Sequence, residues 1–188
     1  MSHNNSQVLK ASVHAFNKLK AVHIMAGVRN AAVKMIEDAL EMRTGWLGFT
    51  GNLPTSYSAG IWDFDGNLEI IFAEDVNSEY SLSEVRRQKV GKGERAVLDA
   101  PWEGEPRAVK GEADLKTRYG VELVQMFLNN YKPKKYPCIV MCTGAEYSKY
   151  LQESREGAVV LEVPSNIKNM VHASFTEVPF NARNMITR

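Results

Sequence analysis

The chain has 188 residues, of which 44% are hydrophobic and 24% charged, and its formal net charge is +1. These values exclude wholesale disorder and fibrous proteins, and the length suits one domain with a sizeable core. No apolar run approaches the roughly 20 residues that a membrane helix needs, so we expect no membrane partner. The polar start, residues 1–6, has no hydrophobic signal core behind it, and we expect no export.

The first third of the chain has a helical pattern. Residues 7–43 contain no proline and carry apolar side chains at mostly helical spacing, which predicts one or two amphipathic helices. Ser6 is the expected N-cap, and Gly27 is the expected break or kink. The alanines Ala31, Ala32 and Ala39 would let the second half pack closely on a sheet.

A β-hairpin is predicted next. The apolar runs 57–62 and 68–73 lie on either side of Asp63-Phe64-Asp65-Gly66-Asn67, and Asp65-Gly66 supplies the residues that a tight turn requires. An Asp-x-Asp-Gly pattern also suits a hard cation, but a turn preference explains it more economically.

The stretch 76–116 is polar and rich in glycine and proline. It is too long for an ordinary connection, so it is either disordered alone or an arm that orders against a partner. Trp102, between two prolines, either folds back on its own domain or anchors on a neighbouring subunit.

Helical spacing returns at 115–131, followed by an apolar run at 136–142 that is typical of a central strand. One helix face is expected to carry Val124, Phe127, Leu128 and Tyr131. The predicted fold is therefore α+β, with amphipathic helices packed on a mainly antiparallel sheet. We expect a single domain over 1–188, with 76–116 as a long polar arm or insertion within it.

No set of residues indicates catalysis. Cys138 and Cys142 would share one face of a strand with Cα atoms about 13 Å apart, beyond disulfide reach, and are best explained as small buried hydrophobes. His14 and His23 are nine residues apart, which is not a ligating spacing on a helix. We expect no catalytic residue, no cofactor and no metal, so the chain is predicted not to be an enzyme.

Charge is segregated along the chain. Residues 44–85 contain seven acids and no Lys or Arg, whereas five basic residues follow within 86–95. Opposed blocks suit head-to-tail contact between copies of one protein, and solvated faces without a partner remain the alternative. The candidate subunit interface comprises Arg86, Arg87, Lys89, Lys92, Arg95, Trp102, Glu74, Asp75 and Glu79.

The order of features resembles a known family. A helix with alanines runs into a glycine-rich loop, followed by Thr50-Gly51-Asn52-Leu53, Ser56, Gly60-Ile61-Trp62 and the hairpin, and much later by 145–154 and Gly157. This order is similar to that of the tail-completion and minor tail-component proteins of tailed bacteriophages. The resemblance covers roughly 25–75 and 136–160. Two departures are the long piece 76–131 and the stretched segment 152–157.

The resemblance implies a structural virion protein, assembled in the host cytoplasm, that forms a ring at the head–tail junction. The same resemblance implies about six or twelve copies in the ring. Rings arise from heterologous contacts whose rotation closes. Its partners would be the portal or connector and the tail proteins, with genomic DNA passing through its channel without sequence-specific contact. Asp63, Asp65 and Glu69 are the candidate channel-facing residues.

A second function stays open. The cluster Arg86 to Arg95 suits phosphate contacts, so the alternative is a small nucleic-acid-binding or regulatory protein of a phage or mobile element. The near-zero net charge and the lack of interleaved aromatic residues argue against it.

Overall fold

The computed structural model describes residues 3–42, 50–85, 96–98, 107–109, 119–145 and 148. Its helices and antiparallel strands confirm the predicted α+β class. The elements in chain order are α1 (His3–Met42), β1 (Ser58–Trp62), β2 (Leu68–Phe72), α2 (Ala73–Val76), β3 (Ala96–Leu98), β4 (Arg107–Val109), α3 (Gly120–Asn130) and β5 (Cys138–Cys142). Three single turns of 3-10 helix lie at Pro54–Ser56, Ser78–Tyr80 and Leu82–Glu84.

Helix α1 is continuous, so the stretch forms one of the predicted one or two helices, and the break at Gly27 is wrong while the kink stays a prediction. A glycine inside a helix costs about 1 kcal/mol, which the rest of a 40-residue helix offsets. Gly27 lies at a buried position. The predicted N-cap Ser6 is also wrong, because the helix begins at His3 and Ser6 lies within it.

The chain divides into two compact units, and the boundary falls inside α1, after Ala31. The first unit contains the preceding part of α1. The second begins at Ala32 and contains all the described strands together with α2 and α3. Its part of α1 buries Ala32, Met35, Ile36, Ala39 and Leu40, a stripe at helical spacing. A boundary inside one helix does not decide how many domains fold independently, so the single domain stays a prediction.

The predicted hairpin is confirmed. Strand β1 pairs with β2 in antiparallel register, from Ser58 opposite Phe72 to Trp62 opposite Leu68. Strand β5 pairs antiparallel with the other edge of β1, so the described three-stranded sheet has the order β2-β1-β5. The middle strand of that sheet is β1. The expectation that 136–142 forms a central strand is therefore wrong for the described sheet, where β5 lies beside only one neighbour.

Helix α3 packs on one face of this sheet. Its Val124 and Leu128 form a buried cluster with Trp62. Side chains from β2 and β5 surround the cluster: Leu68, Ile70, Phe72, Cys138, Val140 and Cys142. Gly60 allows the close approach, because a Cβ there would lie 2.8 Å from Leu128 Cδ2. Alternation along the strands places Ala59, Ile61 and Ile71 on the other face, where all three are buried.

The predicted apolar face of α3 is half correct. Val124 and Leu128 are buried, but Phe127 is 49% and Tyr131 39% exposed. The helix begins at Gly120 and ends at Asn130, so Tyr131 follows its last turn. The ring of Tyr131 lies between those of Trp62 and Phe127, with centroid distances of 5.5 and 5.6 Å. Phe127 and Tyr131 therefore border the core instead of filling it.

The predicted arm 76–116 falls partly outside the described residues. Its described part has the 3-10 turns at Ser78–Tyr80 and Leu82–Glu84, and then β3 and β4. These two strands pair antiparallel with each other, from Ala96 opposite Val109 to Leu98 opposite Arg107. They form a two-stranded ladder separate from the β2-β1-β5 sheet. Whether this stretch acts as an arm stays a prediction.

Candidate functional site

Local hydrogen bonds stabilise a turn in the segment before β1. Residues 50–62 are all buried. The backbone N–H of Asn52 donates to Thr50 Oγ1 at 3.3 Å, and the Thr55 hydroxyl donates to the Gly51 carbonyl at 2.8 Å. Gly51 has φ of 80°, a conformation that favours glycine. The short Thr-Gly-Asn-Leu sequence therefore forms a specific buried turn.

Asn52 caps a helix far away in the sequence. Its Oδ1 accepts a hydrogen bond of 2.8 Å from the backbone N–H of Gly120, the first residue of α3. The N-cap residue of that helix, Tyr119, makes no side-chain cap. Since the first N–H groups of a helix lack intrahelical partners, the buried amide of Asn52 satisfies one of them.

Ser56 joins the same turn to the chain that follows β5. Its hydroxyl donates to the Leu53 carbonyl at 2.7 Å and accepts from the backbone N–H of Gly144 at 3.2 Å. The Thr143 hydroxyl lies 2.7 Å from Ser56 Oγ and completes the set as a donor, because Ser56 has only one proton to give. The donor and both acceptor positions of Ser56 are therefore in use, as in a structural serine.

Two glycines let these segments meet. A Cβ on Gly120 would lie 2.5 Å from Ser56 Cβ, and a Cβ on Gly144 would overlap the carbonyl oxygen of Gly120. The start of α3 and the end of β5 therefore touch backbone to backbone. We call the set that joins them the polar hub: Asn52, Ser56, Gly120, Thr143 and Gly144.

The first candidate channel-facing residue, Asp63, holds the hairpin turn. Its Oδ1 accepts from the backbone N–H of Asp65 at 2.9 Å and of Asn67 at 2.8 Å, while its Oδ2 accepts from Asn67 Nδ2 at 2.8 Å. These bonds, led by the Asn67 amide, lower the pKa of Asp63 below 3.8. Gly66 continues the turn with φ of 84°. These bonds directly support the explanation of Asp-x-Asp-Gly as a turn sequence.

The other two candidates lie close by. Asp65 is exposed at the turn, and Glu69 is exposed on β2 opposite Ile61 of β1. The structure thus brings all three acids onto one hairpin. Whether they face a DNA channel stays a prediction.

The acidic half of the candidate subunit interface surrounds α2. Glu74, Asp75 and Glu79 are all exposed. Asp75 Oδ2 accepts from the backbone N–H of Phe72 at 2.8 Å and so caps α2, while Glu74 Oε2 accepts from Leu82 N–H at 3.4 Å. The remaining predicted interface residues lie outside the described residues: Arg86, Arg87, Lys89, Lys92, Arg95 and Trp102.

A groove lies beside these acids within the second unit. Its volume is about 490 Å³, and it runs between the last turns of α1 and the chain after α2. The residues that line it are Glu37, Leu40, Glu41, Val76, Asn77, Ser78 and Tyr80. Glu37 and Glu41 are both exposed and stand one helical turn apart. We call this feature the acidic groove.

The two cysteines are free and share one face of β5, as predicted. They are partly buried, and both pack against the α3 cluster. Burial raises the pKa of both thiols, that of Cys142 to about 11. A neutral, packed thiol is a poor nucleophile and a poor metal ligand.

Two features are absent from the described parts of the chain. No three His, Cys, Asp or Glu side chains there come together as a metal site. No helix there is both long and apolar enough to span a bilayer.

No protein-family model, no curated protein and no solved structure matches this chain. The function is therefore inferred from its own residues and geometry.

Sequence reasoning missed the polar hub. It singled out Thr50-Gly51-Asn52-Leu53 and Ser56 as a pattern, but assigned them no role. The partners of Asn52 and Ser56 lie 68 and 87 or 88 residues away, and no local signal indicates such pairings.

Proposed function

We propose that this chain is a structural protein of a tailed-phage virion that forms a ring at the head–tail junction and joins head to tail around the DNA channel. The observation that carries the proposal is the polar hub. The two stretches that resemble the tail-completion family, roughly 25–75 and 136–160, are distant in sequence. Ser56 nevertheless bonds Thr143 and Gly144, directly before Ala145.

Charge supports the assembly part of the proposal. Exposed acids concentrate on the hairpin and around α2, whereas residues 1–36 contain five basic residues and no acid. Copies that carry both kinds of surface attract each other head to tail, and such contacts form rings when the rotation closes. The acids Asp65 and Glu69 suit a channel wall, since negative charge repels DNA phosphates and prevents adhesion.

The proposal is tested by head–tail joining. When the gene for this chain is deleted from the phage that encodes it, the mutant phage should accumulate filled heads and separate tails. Adding the purified chain to that lysate should restore infectious particles, while the Gly144→Ala variant, expected to unfold the sheet, serves as an inactive control. Mutant phage that still join heads to tails would contradict the proposal, as would a gene found outside any phage or prophage genome.

The second candidate is a small nucleic-acid-binding protein. One observation favours it: Lys10, Lys18, Lys20 and Arg29 are exposed along a helix half without acids. Binding of this kind falls steeply with salt. Salt-dependent retention of DNA by the purified chain, lost in Lys10→Glu with Lys18→Glu, would favour this candidate over the ring.

A further inference from the structure

The N-terminal half of α1 exposes an apolar and basic stripe. Leu9, Val13 and Phe16 are 65%, 51% and 46% exposed, and Lys10 and Lys20 are exposed beside them. At about 100° per residue, these five side chains fall within a sector of about 120°. Exposed apolar side chains in a continuous stripe are typical of a surface with a partner. We call these five residues the basic face of α1.

The acidic groove has the complementary properties. Glu37 and Glu41 stand on one wall, and Ser78 and Tyr80 line the other. Val76 and Tyr80 add half-buried apolar surface. The groove therefore offers carboxylates for lysines and apolar atoms for Leu9, Val13 and Phe16.

We propose that the basic face of α1 in one copy docks in the acidic groove of a second copy. This inference rests on the self-assembly in the proposed function and specifies its contact. Lys10, Lys20, Glu37 and Glu41 are all exposed, so their charges are accessible to a second copy. Each copy offers one face and one groove, so the contact is heterologous and repeats from copy to copy.

A second copy fits better than DNA. Phosphates would satisfy Lys10 and Lys20, but they offer nothing to the three apolar side chains of the same face. The acidic groove satisfies both kinds of side chain. Opposite charges across such a contact also fix its orientation, because a parallel pairing of two basic faces would be repulsive.

Reciprocal charge reversal tests the contact. The first variant carries Lys10→Glu and Lys20→Glu, and the second carries Glu37→Lys and Glu41→Lys. Each variant alone places like charges across the contact, so its self-association should weaken about tenfold or more. An equimolar mixture should associate again, because each variant then meets opposite charge on the other. Sedimentation velocity at low and high salt measures all three samples.

Two single substitutions serve as matched controls. Lys18→Glu makes the same charge change on the same helix, but roughly 160° around the axis from Lys20. Glu122→Lys reverses an exposed acid on α3. Both should associate like the unaltered chain. Circular dichroism of every variant checks that α1 stays helical, as expected because Lys and Glu have similar helix propensities.

The outcomes separate this contact from the ring. Loss in both variants with rescue in the mixture supports the contact, and if images then show open chains instead of rings, only the proposed function fails. Unchanged rings in both variants overturn the contact and leave the ring standing. A chain that is monomeric at every concentration overturns both. DNA binding lost in the first variant, with unchanged self-association, assigns the basic face to nucleic acid and overturns the contact.

Discussion

Two regions of this chain differ in whether their side chains are buried and bonded within the chain or exposed. Around the polar hub, residues 50–62 are buried, and Ser56 uses its full hydrogen-bonding capacity inside the chain. In the first half of α1, every described side chain from Ser6 to Lys18 is exposed, including large apolar ones. The side chains of the first region stabilise the fold, whereas those of the second are exposed and are proposed to contact a partner. Substitutions in the two regions should therefore change different measurements.

The largest expected effect is in the polar hub. Gly144→Ala places a Cβ on the Gly120 carbonyl oxygen, so one of the two backbone segments would have to shift. We expect a loss of about 4 kcal/mol or more in the free energy of unfolding, measured by urea denaturation. Ser78→Ala, at an exposed position of the same unit, should stay near the unaltered value. A loss below about 1 kcal/mol for Gly144→Ala would contradict the backbone contact.

Removing the side chain that docks α3 should have the next largest effect. Leu128→Ala leaves a cavity against Trp62 and Gly60 and should lower the free energy of unfolding by about 2–4 kcal/mol. Met126→Ala, on the exposed side of the same helix, should change it by less than about 0.5 kcal/mol. Equal losses at both positions would show that α3 does not pack by this face.

The distant cap should contribute less. Asn52→Ala removes the acceptor from the buried N–H of Gly120, which should cost about 1–2 kcal/mol. Hydrogen exchange should also become faster in the first turn of α3. The matched control is Asn130→Ala, since that exposed amide donates to the Met126 carbonyl at the other end of the helix. If Asn130→Ala costs as much as Asn52→Ala, the cap has no special role.

The first half of α1 should respond in the opposite manner. Leu9→Gln with Val13→Gln removes exposed apolar surface, so the free energy of unfolding should change by less than about 0.5 kcal/mol. Self-association should nevertheless weaken. A large loss of stability without a change in association would show that this stripe belongs to the fold.

The smallest effect concerns the hairpin turn. Asn67→Ala removes the main bond that keeps the pKa of Asp63 low, so that pKa should rise towards 3.8. A pKa lowered by folding gives stability that is present above the unfolded value and is lost as the pH falls through the folded value. In the variant the folded and unfolded pKa values of Asp63 lie closer together, so less of this stability is present above them and less is lost on acidification. NMR titration of the Asp63 carboxyl group in both proteins measures this pKa. An unchanged titration midpoint would contradict the hydrogen bond between Asn67 and Asp63.

Local chemistry predicted local structure well. The hairpin followed from Asp65-Gly66 between two apolar runs, and the α+β class followed from the helix and strand periods. Sequence reasoning failed where the local preference of one residue was opposed by the rest of its element. Gly27 was expected to break or kink α1, yet the helix continues through it, because the length of the helix outweighs the cost of one glycine.

The polar hub and the acidic groove could not be predicted, because their members are distant in sequence. Nothing near Asn52 indicates that its amide meets Gly120. Likewise, Glu37 and Glu41 belong to a helix, whereas Ser78 and Tyr80 follow the hairpin, so only the fold makes them one groove. The charge segregation was visible in the sequence, but its position on exposed surfaces was not.

The central claim is that copies of this chain assemble head to tail into a ring. Native mass spectrometry of the purified chain, with negative-stain images of the same sample, tests it most directly. The account predicts one dominant assembly whose mass is a whole multiple of the chain mass, seen as a closed ring with a central hole. A monomer at every concentration, alone and with portal and tail proteins, would contradict it.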